Sequence, residues 1–141
     1  MKPALDILAR TLLAAIFLVS SIRQIMGFAV VSAMMARRGF PVPEGFLVLA
    51  IILEIAGGLM LILNWNARYA ALALAAFTLA AGSIFHGFWT LWAAPPPEFN
   101  NEFNHFLKNM AIVGGLLLIA ASRSDDKVQW NWRRGKISAA S

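Results

Sequence analysis

Seven residues able to do chemistry lie in or beside strongly apolar stretches of this 141-residue chain: Arg23, Gln24, Glu54, His86, His105, Lys108 and Asn109. Ionisable groups in such surroundings must be paired or hydrated. Glu54 is the most demanding, because it shares a helical face with Gly57, Gly58 and Leu61 by the i, i+3, i+4, i+7 rule. Its expected partner is Arg23 or Lys108, in an ion pair that fixes helix register or serves chemistry. Arg23 and Lys108 also admit a plainer reading, in which their stems lie along apolar surface and their heads reach the headgroups. Two histidines on facing helices are a haem-ligand set in principle, but the chain carries no attachment motif, and the plain reading of His86 is a hydrogen-bonded interior residue. No metal site is expected. The chain has no cysteine, which removes disulfides, thiolate metal sites and thiol redox chemistry. It has no phosphate loop, dinucleotide-binding glycine pattern or nucleophile elbow.

The elements that must position these residues follow from composition. Sixty per cent of the chain is hydrophobic, 13% is charged, and the mean hydropathy is +0.68. Average soluble domains run ~45–50% apolar and ~25% charged. A soluble core of this length would leave apolar surface in water, and disorder needs the opposite bias. Four windows meet the ~20-residue requirement for a membrane helix, at about 5–28, 46–63, 68–89 and 106–121. The first follows Lys2 as a signal peptide would. Asp6 and Arg10 interrupt its start, however, and no small-residue cleavage site precedes Arg23, so it is read as a retained span. The expected fold is an all-α membrane protein, a four-transmembrane-helix bundle. Residues 1–121 form the transmembrane domain and 122–141 a basic cytoplasmic tail.

Lysine and arginine orient it. One side carries Lys2, Arg68, Arg123, Lys127, Arg133, Arg134 and Lys136; the other carries Arg37 and Arg38. The positive-inside rule then places both termini in the cytoplasm, so the net charge of +5 reports topology and no nucleic-acid partner is expected. At ~1.5 Å per residue, all seven candidate residues fall in the outer half, with Glu54 about 12 Å below the outer boundary. The prediction is that Arg23, Glu54, His86 and Lys108 or Asn109 converge on one interior polar site. Only Asp6 and Arg10 are comparable near the inner entrance.

The connections differ in character. Residues 36–45 read as a Gly/Pro-punctuated loop and 64–67 as a tight turn between antiparallel helices. Pro95-Pro96-Pro97 reads as a stiff extended stretch, followed by a polar run to Glu102. Trp130–Lys136 reads as an interfacial anchor of indoles and cations, with docking of a soluble partner as its competitor. Packing faces are expected at Ala14, Phe17, Ser21 and Gln24, and at Ala71, Ala75, Thr78, Gly82 and His86. Ala56-Gly57-Gly58-Leu59 and Val113-Gly114-Gly115-Leu116 hint at a duplicated helical hairpin.

The order of features resembles the DoxX family of integral membrane proteins over about residues 5–121. The resemblance rests on Ser20-Ser21-Ile22-Arg23-Gln24, Gly39-Phe40-Pro41-Val42-Pro43, Glu54-Ile55-Ala56-Gly57-Gly58 and Phe106-Leu107-Lys108-Asn109 through Gly114-Gly115. Family members usually carry Ser-Gly and a lysine late in the first span; here Ser20-Ser21 and Gln24 stand there, with Arg23 as the substitute cation from a neighbouring face. The resemblance implies a bacterial inner-membrane protein that is a subunit or accessory of a quinone-linked redox system. Glu54 and His86 would be its catalytic, proton-handling groups; Arg23, Gln24, His105, Lys108 and Asn109 would bind the headgroup. No cofactor is encoded, so quinone is the implied ligand, no bound chromophore is expected, and electrons would come from a soluble or membrane redox partner. A second copy of the chain is the other expected partner besides lipid. The alternative function is a non-catalytic membrane scaffold or assembly factor for a partner enzyme. A small-solute transporter ranks third, since no span is interrupted by proline at mid-depth.

Overall fold

The computed structural model describes residues 3–91 and 95–138, with side chains for 4–89, 91 and 95–122. Lys2 and the side chains of the Trp130–Lys136 segment lie outside that description. Helix α1 runs Pro3–Met26, α2 Phe28–Arg37, α3 Pro43–Ile62, α4 Ala67–Phe85 and α5 Pro96–Ser138, with a 3₁₀ turn at Phe88–Thr90. Four of these contain segments long and apolar enough to cross a membrane: Ala4–Met26, Pro43–Ile62, Ala67–Phe85 and Pro96–Ser122. Among the described residues there is no strand. The chain divides into two compact units, Met1–Asn66 and Ala67–Ser141.

In the first unit α1 and α3 run antiparallel. Arg10, Ala14, Phe17 and Ser21 form the buried stripe of α1, and Leu47, Ile51, Glu54, Gly58 and Leu61 that of α3, each at the spacing a helix face requires. Gly58 sets the approach: a Cβ there would meet the Leu18 side chain at 3.2 Å and the Ala14 carbonyl oxygen at 3.5 Å. At one end, buried Arg10 donates from one guanidinium nitrogen to the Leu61 carbonyl (3.0 Å) and pairs through the other with Asp6 (3.0 Å). It thus brings a cation to a carbonyl in the last turn of α3 that also accepts the Asn64 N–H at 3.3 Å, the favourable sign of charge for a helix C-terminus.

The first span is followed by a helix that the sequence reading leaves unassigned. Gly27 breaks α1 from α2, and α2 then ends in a Schellman turn: Phe40 N–H donates to Met35 and Gly39 N–H to Ala36, with Gly39 at φ +86°, a conformation glycine adopts without steric cost. The same closure ends α3, with Asn64 at φ 56° and Trp65 N–H donating to Met60.

In the second unit α4 packs antiparallel on α5. Ala71, Ala75, Thr78 and Gly82 are buried as expected. Two expectations are corrected. Pro96 and Pro97 do not form an extended stretch but open α5, because the first turn of a helix has no internal acceptor for the N–H that proline lacks and its fixed φ suits that position. Helix α5 therefore begins ten residues before the expected 106 and continues past 121 to Ser138; no Gly or Pro stands between Ala121 and Arg134 to stop it. His86 falls just beyond α4, its N–H still bonded to the Gly82 carbonyl, because the Gly87-Phe88 turn ends the helix inside the expected 68–89 window.

Two glycines of the second unit play unlike roles. Gly114 has open space around it, whereas Gly82 holds the close approach: a Cβ at Gly82 would lie 2.8 Å from Asn109 Nδ2 and 3.2 Å from its Cβ. Gly82→Ala is expected to destabilise by about 1–2 kcal/mol through overpacking. Gly114→Ala is expected to stabilise by about 0.5–1 kcal/mol from helix propensity alone. Unfolding in detergent micelles checks both; equal effects at the two positions would contradict the packing described.

Candidate functional site

The candidate residues fall into one group in each unit. In the first, Glu54 is buried at 4% exposure in the middle of α3. A carboxylate among apolar side chains requires donors, and α1 supplies them from one turn. Ser20 Oγ donates to Glu54 Oε1 at 3.0 Å, and Gln24 Nε2 donates to Glu54 Oε2 at 3.0 Å. The second Gln24 N–H reaches Ser20 Oγ, also at 3.0 Å. Ser20 and Gln24 are i and i+4, so one helix face presents both.

The expected ion pair with Arg23 is not formed. Arg23 is exposed in the last turn of α1, where its charge suits the helix C-terminus. Consecutive residues project ~100° apart around a helix, so of the adjacent pair only Gln24 meets α3. Arg23 does not stand in for a cation at that position; the uncharged Gln24 makes the contact itself. Ser20, absent from the candidate binding residues, is the group sequence reasoning missed, and its i, i+4 relation to Gln24 was the available signal.

In the second unit His86 Nδ1 lies 2.8 Å from Glu102 Oε2, and both side chains are about 30% exposed, at 31% and 29%. The His105 ring stacks on His86 with centroids 4.7 Å apart and planes 11° from parallel. Beside them Phe88 is met edge-on by Trp89, Phe99, Phe103 and Phe106, a cluster that fixes the turn after α4 against the start of α5. Glu102 is the second missed residue: it ends the polar run that the sequence places before the fourth span, and the helix begun at Pro96 puts it one turn before His105. Asn109 packs against Gly82, and Lys108 is exposed. Stacked imidazoles hold their lone pairs in parallel planes, which do not meet at one centre. Among the described residues no group of three His, Cys, Asp or Glu is placed to hold a metal ion.

The buried Glu54 in its Glu-x-x-Gly-Gly setting, met by α1 and followed by the α4 segment to His86, is the arrangement whose motifs resemble DoxX. The family model described as DoxX matches residues 5–87. The chain belongs to the DoxX family. That match spans α1 to α4 and contains the whole Ser20–Gln24–Glu54 network. Among curated proteins the chain is similar to "Inner membrane protein YphA" of Escherichia coli (strain K12), 29% identical over 120 residues, which covers 84% of this chain and 83% of that protein. It is also similar to "Inner membrane protein YqjF" of the same organism, 33% identical over 117 residues, covering 81% and 80%. No solved structure matches it.

Proposed function

We propose that this DoxX-family protein is an inner-membrane component of a quinone-linked redox system, and that the Ser20–Gln24–Glu54 network receives the quinone headgroup. The observation that carries the reading is a buried carboxylate satisfied by two uncharged donors. Such a group is held in place without being neutralised by a fixed cation, and it can take or release a proton at a ligand oxygen. A carboxylate kept only for register would be better served by an ion partner or replaced by an apolar side chain. In this reading Glu54 is the proton-handling residue and Gln24 binds the headgroup. His86, backed by Glu102, is a second proton-handling group, and the isoprenoid tail lies among apolar helix faces. Electrons come from a partner protein. The inner membrane is the location that both named relatives support, and the excess of Lys and Arg at the two ends and the 64–67 turn supports a topology with both termini in the cytoplasm.

Binding of a short-chain benzoquinone, assayed in both oxidation states on protein in membranes, tests the site. The wild-type protein is expected to bind at least one state, and Glu54→Gln to weaken that binding about tenfold, the value of one charge-assisted hydrogen bond. Absence of binding by the wild-type protein, or equal binding by the variant, overturns the assignment.

A further inference from the structure

The hydrogen-bonding capacity of the α1–α3 network can be counted atom by atom. Ser20 has one O–H, engaged by Glu54 Oε1. Gln24 has two N–H groups, engaged by Ser20 Oγ and Glu54 Oε2. Its remaining polar atom, Oε1, is buried and has no hydrogen-bond partner among the described residues. Turning the amide over gives no relief. It would set Oε1 against the Glu54 carboxylate, acceptor on acceptor, and leave two donors without partners. With Glu54 as a carboxylate, every donor of the network is engaged, and all its unused capacity is acceptor capacity.

A buried acceptor without a donor calls for a group from outside the chain. We infer that this network selects the reduced form of its ligand: a quinol, which presents ring O–H groups, over the quinone, whose two oxygens only accept. The inference rests on the reading of this network as a quinone headgroup site and adds the oxidation state that it favours. A quinol O–H donates to Gln24 Oε1 and completes the network. With Glu54 ionised, a quinone carbonyl in the same place faces acceptors alone and finds no donor on Ser20, Gln24 or Glu54. Only binding is at issue, and no proton or electron changes hands in it.

The test compares equilibrium binding of a short-chain benzoquinol, its oxidised benzoquinone and the dimethyl ether of the quinol, under anaerobic conditions, to the full chain in lipid nanodiscs. The wild-type protein is expected to bind the quinol about tenfold more tightly than the quinone or the ether, the consequence of leaving one buried acceptor unpaired. Gln24→Lys keeps a donor for Glu54 and removes the acceptor, so it is expected to bind quinol and quinone within about twofold of each other. Equal affinity of the wild-type protein for quinol and quinone overturns the inference while leaving the headgroup site in place; an ordered water then completes the network. A quinol preference that survives Gln24→Lys also overturns it. Failure of the wild-type protein to bind either form overturns the headgroup reading and the inference with it. Should Gln24→Lys not fold, the wild-type comparison decides, because an ether that binds as well as the quinol shows that donation is not being read.

Discussion

Arg10→Met is expected to lower the unfolding free energy in detergent micelles by about 2–3 kcal/mol. Arg10 is 5% exposed and serves two acceptors, the Leu61 carbonyl and Asp6, through its two terminal nitrogens, while its Nε has no hydrogen-bond partner among the described residues. Methionine fills much of the same volume, so the loss measures donors and charge rather than a cavity. It takes the cation from the last turn of α3, where the helix end favours positive charge, and leaves Asp6 without its arginine. Breaking a buried ion pair by removing one partner costs ~3–5 kcal/mol. Asp6 is partly open at 19%, and solvent there reduces the figure. Arg10→Lys is expected to fall between, because one ammonium lacks the planar fork that serves two acceptors at once. A change below about 0.5 kcal/mol for Arg10→Met, the level of an ordinary surface substitution, would show that the contact contributes nothing to stability.

Arg10 also shows where reading the sequence stops. Its place at the entrance of the first span and its spacing to Ala14, Phe17 and Ser21 are legible, because a buried stripe repeats every three or four residues whatever it packs against. The spans and the faces of α1, α3 and α4 follow from that period. The pairing of Arg10 with Asp6 four residues earlier is legible too, but the contact of Arg10 on α3 is not, since a backbone carbonyl 51 positions away leaves no trace in side-chain identity. Glu54 presents the same division. That a buried carboxylate needs partners follows from solvation alone. Which partners it finds depends on the rotation of α1, and a difference of ~100° between Arg23 and Gln24 separates an ion pair from a hydrogen bond to an amide. Coulomb attraction favours the arginine on paper. The packed face that already buries Phe17 and Ser21 decides for Gln24. At the prolines the error has another source: Pro95-Pro96-Pro97 fits both an extended segment and a helix start, and the residues that follow choose. Once Pro96 opens α5, Glu102 and His105 come onto one face, and the polar run before the expected fourth span contributes a carboxylate to His86.

The second large effect separates stability from function at Glu54. Glu54→Met alone is expected to destabilise by about 2 kcal/mol, because it leaves the Gln24 amide donor buried without its acceptor. The Ser20 hydroxyl loses the same partner but can turn back to a carbonyl of its own helix, as serines in helices do, so its share is small. The triple variant Ser20→Ala, Gln24→Met, Glu54→Met removes the whole network at roughly conserved volume. It is expected to be at least as stable as the wild-type protein, since replacing every member of a buried polar group by apolar side chains is often neutral or stabilising by ~1–4 kcal/mol. Unfolding measured side by side should therefore rank the triple variant at or above the wild-type protein and the single variant below both. Binding of the benzoquinol is expected to vanish in the triple variant in spite of its stability. A polar network that the fold can do without, and that binding cannot, is one retained for its ligand. A triple variant less stable than Glu54→Met would show instead that Ser20, Gln24 and Glu54 hold α1 to α3, and the functional assignment would lose its physical ground.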